Sequence, residues 1–114
     1  MITLNLYLRN KTFQAIKAKY RINYNMITLL CAIDLYSKYI DRCFTHTAIY
    51  LFTGYYNSRN VKKFLNRLIE CNIITLVGKR KFTLTDTGLS AIQEINESYD
   101  NVCYQFCNKY NISL

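Results

Sequence analysis

Residues 44–88 decide the fold of this chain: FTHTAIYLFTGYYNSRNVKKFLNRLIECNIITLVGKRKFTLTDTG. Thr45 or Thr47 is expected to cap a short helix, because a side-chain oxygen at that position accepts a backbone N–H of the first turn. Gly54 ends this helix, since a glycine just past a helix adopts a positive φ without a Cβ penalty. A second helix then spans residues 57–71. The stretch therefore begins as two helices joined by a sharp turn.

The second of these helices is amphipathic. Its apolar residues follow the spacing i, i+3, i+4, i+7, i+8, which predicts one buried stripe; they are Val61, Phe64, Leu65, Leu68 and Ile69. The other face carries side chains that can donate hydrogen bonds to phosphates or base edges; they are Arg59, Asn60, Lys62, Lys63, Asn66 and Arg67. This pattern favours a nucleic-acid contact over a face that merely confers solubility.

A β-hairpin follows the amphipathic helix. Ile73–Val77 and Phe82–Thr85 are rich in residues that favour strands. The four residues between them are Gly78, Lys79, Arg80 and Lys81, which give the hairpin a basic tip. Residues 86–88 then open the last helix.

Helices are predicted on both sides of this segment. The first runs from Leu4 to about Arg21, and a second, apolar helix from residue 26 onwards forms the hub of the core. The last helix carries apolar residues at alternating spacings of three and four, as in a coiled-coil seam. Such a seam needs a partner, and its positions are Ile92, Ile95, Tyr99, Val102 and Phe106. The first helix carries its own apolar stripe at Phe13, Ile16 and Tyr20.

The charge of the chain points to a polyanionic partner. The formal net charge is +8, and the cations are concentrated in two zones. Residues 1–21 carry five Lys or Arg and no acid, and residues 59–81 carry seven against Glu70 alone. Concentrated cations bind nucleic acid because neutralised phosphates release condensed counterions.

Catalysis and cofactor binding find no support in the sequence. There is no glycine-rich phosphate loop, no paired nucleophile and base, and no suggestive carboxylate pair, so we expect neither an enzyme nor a cofactor. His46 is the only histidine, and no residue at metal-ligand spacing accompanies it. Cys103 and Cys107, spaced i, i+4, are either core residues or a thiol pair that binds metal or senses oxidants.

The cellular setting is also predicted from composition. The five cysteines are an odd number, and no secretory segment is recognised, which favours reduced thiols in the cytoplasm. No stretch approaches the roughly 18 apolar residues that cross a bilayer. We therefore expect no membrane partner.

Residues 44–88 resemble the DNA-binding half of winged helix-turn-helix transcription regulators, closest to the MarR-like group, and LTDTG at Leu84–Gly88 is similar to the exit from the wing in that family. The resemblance implies that residues 57–71 are the recognition helix in the major groove and that residues 78–81 form the wing. It also implies that both terminal helices build a homodimer, which assigns the apolar positions of the first helix and of the seam to a dimer interface. Arg59 and Asn60, at the N-terminal end of the recognition helix, are then the base-reading residues, and the remaining cations contact phosphates.

Two departures from the family pattern affect this interpretation. The turn before Val61 is one residue longer than usual, and the wing lacks the usual acid-plus-arginine tip, which argues against minor-groove reading. The predicted fold is thus mainly α with a small β-hairpin, in one winged-helix domain (1–114) with a DNA-binding core (26–88) and flanking helices (1–22 and 89–114).

The predicted function is sequence-specific binding of double-stranded DNA by a dimeric transcription regulator. Two alternatives remain open: a winged helix that serves protein–protein assembly, and a plasmid or phage replication or partition factor. MarR-like proteins often bind small phenolic effectors, but no residue of this chain identifies such a pocket.

Overall fold

The computed structural model describes residues 2–113, and within this range the chain is mostly helical with one two-stranded sheet. The elements are α1 (Ile2–Tyr20), α2 (Tyr24–Tyr39), α3 (His46–Thr53), α4 (Ser58–Glu70), β1 (Ile74–Val77), β2 (Lys81–Leu84) and α5 (Asp86–Tyr110). The predicted class, mainly α with a small hairpin, is confirmed. None of the helices in residues 2–113 combines the length and hydropathy that a bilayer-spanning helix requires.

Side-chain caps explain where the helices begin. At the start of each helix from α2 to α5, a side-chain oxygen accepts a backbone N–H three residues further along. The capping residues are Asn23, Thr45, Asn57 and Thr85. Gly54 ends α3 with a φ of 72°, as predicted, and its N–H donates to the Tyr50 carbonyl.

The core is built around α2. Its residues Leu29, Leu30 and Ile33 are fully buried. The apolar stripe of α4 packs into the same cluster, and its buried residues are Val61, Phe64, Leu65 and Leu68. Burial of this stripe fixes the rotation of α4 about its axis, and the polar positions of α4 consequently face outwards.

The hairpin is antiparallel, with Ile74 opposite Leu84 and Val77 opposite Lys81. Phe44 adds a short third strand segment, because its N–H and carbonyl both hydrogen bond to the backbone of Phe82, at 2.9 and 2.8 Å. One prediction needs correction: Lys81 belongs to β2, because it pairs with Val77, and the tip is residues 78–80.

The two terminal helices pack against each other. Phe13 and Ile16 of α1 and Ile92 and Ile95 of α5 are all buried in the core of the protomer. The premise that the seam of α5 needs a partner from outside the chain is therefore corrected at Ile92 and Ile95, and the assignment of Phe13 and Ile16 to a dimer interface is corrected likewise. Residues 2–20 of the same chain supply that partner, since a long apolar stripe is buried by whichever amphipathic helix reaches it.

The far ends of α1 and α5 form an elongated arm. The ring centroids of Tyr7 and Phe106 lie 5.6 Å apart, and the Tyr99 hydroxyl donates to Asn5 Oδ1 at 3.4 Å. The other positions assigned to a dimer, namely Tyr20, Tyr99, Val102 and Phe106, remain partly accessible. Their role in a dimer stays a prediction.

Gly88 sits where α5 leaves the hairpin, in close contact with the backbone before β1. A Cβ at this position would lie 2.2 Å from the Ile73 carbonyl oxygen. We expect Gly88→Ala to lower the free energy of unfolding by about 1–3 kcal/mol, because the backbone must move to relieve the overlap. Urea denaturation measures this change. Ser90→Ala, at an exposed position of α5, is the control, and equal midpoints for the two variants would contradict the prediction.

Candidate nucleic-acid interface

The outer face of α4 presents the polar side chains that were predicted to bind DNA. Arg59, Lys62, Lys63, Asn66 and Arg67 are exposed, whereas Asn60 is partly buried. This arrangement follows directly from burial of the apolar stripe on the opposite face. The sequence pattern therefore predicted correctly which side of the helix faces solvent.

A groove of about 830 Å³ lies between α4 and the hairpin. Lys62 and Asn66 line it from α4, and Lys79 and Arg80 line it from the hairpin tip. The structure thus brings together two sets of predicted residues that lie at least 13 positions apart in the sequence. We call this feature the wing groove.

The start of α3 also lines the wing groove, through residues 45–47. His46 Nε2 lies 2.9 Å from the Ser58 carbonyl oxygen. Because a carbonyl oxygen only accepts, Nε2 carries the proton in this contact. The bond joins the first turn of α3 to the first turn of α4 and so fixes the angle between the two helices.

Sequence reasoning missed this role of His46. The residue follows the N-cap Thr45, and that spacing indicates only the start of a helix. Its partner lies 12 residues away in another helix, so no local pattern could identify the contact.

The wing groove retains an uncompensated positive charge. Glu70 is the only carboxylate in residues 58–81, and its Oε2 lies 3.1 Å from Arg67 Nη1. Within residues 2–113, no carboxylate lies within 4 Å of Lys62, Lys79 or Arg80. Clustered cations without counter-charges produce a positive potential that attracts polyanions.

Arg67 does not line the wing groove. It lies on another side of α4, beside the end of α1, where it contributes to a different groove together with Lys17 and Arg21. Of the basic residues of α4, Lys62 lines the wing groove and Arg67 lines this second groove, whereas Arg59 and Lys63 line neither.

The cysteines offer no metal site within residues 2–113, where no group of three metal-ligating side chains converges. All five thiols are free and partly buried. Burial raises the pKa of Cys31 from its ordinary value of 9.0 to about 11, and the nearby Asp34 carboxylate adds to the rise.

The raised pKa predicts a slow thiol. Because the thiolate is the reactive species, a pKa of about 11 in place of 9.0 leaves about 100-fold less thiolate at neutral pH. A variant that keeps only Cys31 should be alkylated far more slowly when folded than in urea. A variant that keeps only Cys43 is the control, and equal rates for folded and unfolded Cys31 would contradict the prediction.

No family model matches the sequence, and no curated protein is similar to it. Solved structures do match. Staphylococcus aureus MarR, in complex with salicylate and kanamycin, superposes with a TM-score of 0.74 at 22% identity, over 99% of this chain and 75% of that one.

Two further structures support the same fold. Apo wild-type MarR from E. coli has a TM-score of 0.67 at 12% identity, over 99% of this chain and 85% of that one. RV1404 from Mycobacterium tuberculosis has a TM-score of 0.68 at 13% identity, over 94% of this chain and 74% of that one. This chain has the winged helix-turn-helix fold of the MarR regulators, which confirms the resemblance drawn from residues 44–88.

Proposed function

We propose that this protein binds double-stranded DNA and regulates transcription as a homodimer. The observation that carries the proposal is the wing groove, in which uncompensated cations of α4 and of the hairpin tip face the same space. They do so on the fold of known transcription regulators.

In this proposal α4 enters the major groove, whose width admits an α-helix. Arg59, exposed in the first turn of α4, and Asn60 beside it read base edges. Lys62, Lys79 and Arg80 hold the phosphates that border the groove, which sets the register of the protein on the duplex without reading sequence.

The homodimer is supported by exposed apolar side chains on the arm. The exposed ones are Ile2, Leu6, Tyr7, Tyr104, Tyr110 and Ile112. A shallow cavity of about 560 Å³ also lies there, lined by residues that include Leu4 and Phe106. A two-fold dimer would place two copies of α4 on half-sites about 34–36 Å apart, one turn of DNA.

The DNA proposal is tested by fluorescence anisotropy with a random-sequence duplex across a salt series. The wild type should lose affinity steeply as salt rises. Lys62→Ala/Lys79→Ala/Arg80→Ala should make the slope of log K against log salt less steep by about 2.7 per protomer, at about 0.9 per lost phosphate contact.

The control removes equal charge elsewhere, through Lys11→Ala/Lys38→Ala/Lys109→Ala, and should leave the slope unchanged. If the two triple variants reduced the salt slope by equal amounts, the reduction would be a non-specific effect of charge. No binding by the wild type at low salt would overturn the proposal and favour a winged helix that serves protein assembly.

The dimer is tested by sedimentation velocity over a range of protein concentrations. Leu6→Asp/Tyr104→Asp should convert the dimer to a monomer, because each charge would be buried without a partner in an apolar interface. Leu51→Asp, at a 70% exposed position on α3, is the control and should leave the dimer intact. A wild type that sediments as a monomer throughout would contradict the prediction.

A further inference from the structure

The basic zone of residues 1–21 has no part in the function proposed above. Three of its five cations have partners within the protomer. Arg9 donates to the Tyr24 hydroxyl at 2.6 Å. Lys11 lies over the Tyr7 ring, and Lys19 forms an ion pair with Glu94 at 2.5 Å. Two cations, Lys17 and Arg21, are left over.

These two cations face the same groove as Arg67 of α4. The groove has a volume of about 450 Å³ and lies at the corner between α1 and α2. It is also lined by the polar residues Gln14 and Asn23 and by the apolar residues Ala18, Ile22 and Met26. We call it the corner groove. The end of α4 reaches it directly, since Cys71 Sγ lies 4.0 Å from the Arg21 carbonyl oxygen.

The backbone at Arg21 adds an independent argument. Arg21 has a φ of 54°, in the left-handed region where glycine is favoured, and it ends α1 while Ile22 N–H donates to the Lys17 carbonyl at 3.3 Å. A long cationic side chain at such a position costs stability that glycine would not. Residues held in this region cluster at binding and active sites, and here the residue carries a cation into the corner groove.

The corner groove is also short of negative charge. Within residues 2–113, Lys17 and Arg21 have no carboxylate within 4 Å, and Glu70 reaches only Arg67. The first turn of α2 begins beside them, after its N-cap Asn23, and its dipole adds to the positive potential. Lysine, arginine and amide side chains around an open groove are suited to phosphodiester oxygens.

We propose that the corner groove binds the backbone of the same DNA duplex that α4 reads. The inference rests on the proposed function, because the duplex must first engage α4. Its partner is a polyanionic strand, since the groove is open and Arg67 connects it to the outer face of α4. Phosphate contacts by Lys17 and Arg21 add affinity and fix the orientation of the protein, but they carry no base preference.

The test compares wild type with Lys17→Gln/Arg21→Gln in anisotropy across a salt series, on a random duplex and on a duplex selected for tight binding. The slope of log K against log salt should become less steep by about 1.8 per protomer, and affinity at about 0.1 M salt should fall at least tenfold. The ratio of the two affinities should not change. Lys19→Gln/Lys38→Gln removes the same charge from two exposed lysines that already have carboxylate partners, and it should behave as wild type.

A second variant separates binding from stability. Arg21→Gly removes both the cation and the steric cost of a side chain at positive φ. Its Tm should therefore be no lower than that of wild type, while its affinity for DNA falls. Hydroxyl-radical footprinting of the selected duplex should show that the double variant loses protection of backbone sugars at positions outside the contacts of α4 and the hairpin.

The possible outcomes are distinct. A wild type that binds DNA with the same salt slope as the double variant would overturn the corner-groove proposal and leave the proposed function intact. A wild type that does not bind DNA at low salt would overturn both. If inorganic phosphate raises the Tm of wild type but not of the double variant, and both bind DNA equally, the groove binds a small anion and the proposal is wrong.

Discussion

Burial of the apolar stripe of α4 is the interaction on which the rest of the structure depends. Val61, Leu65 and Leu68 are almost completely buried against the hub formed by α2. Rotating α4 by even a third of a turn would expose these residues and bury charged ones, at a cost of several kcal/mol. The hydrophobic effect thus fixes the direction of every polar side chain on the outer face.

The elements around α4 are held in place beside its outer face, and together they form one continuous surface. The bond from His46 to Ser58 sets the angle of α3, and the two backbone bonds between Phe44 and Phe82 hold the hairpin against the link before α3. As a result the hairpin tip faces α4 across the wing groove. The backbone of such a surface is preorganised, so the conformational entropy lost when a partner binds comes mainly from the lysine and arginine side chains.

Local sequence patterns predicted most of the fold. The caps, Gly54, the stripe of α4 and the strands all depend on neighbours within a few residues, and the structure places each within two or three residues of its predicted position. The patterns failed where the partner was distant. Periodicity showed that Phe13 and Ile92 are buried, but not that they pack within one protomer, and charge counts could not show that Lys19 pairs with Glu94 whereas Lys17 does not.

The pairing of α1 with α5 has a consequence for how the chain is made. Helix α1 leaves the ribosome well before its main packing partner, α5, which begins 66 residues after α1 ends. Until then the apolar face around Phe13 and Ile16 stays exposed, and exposed apolar surface promotes aggregation of nascent chains. Contacts between distant parts of a sequence also slow folding. Completion of the core therefore waits for synthesis of α5, and a chaperone has most to protect in that interval.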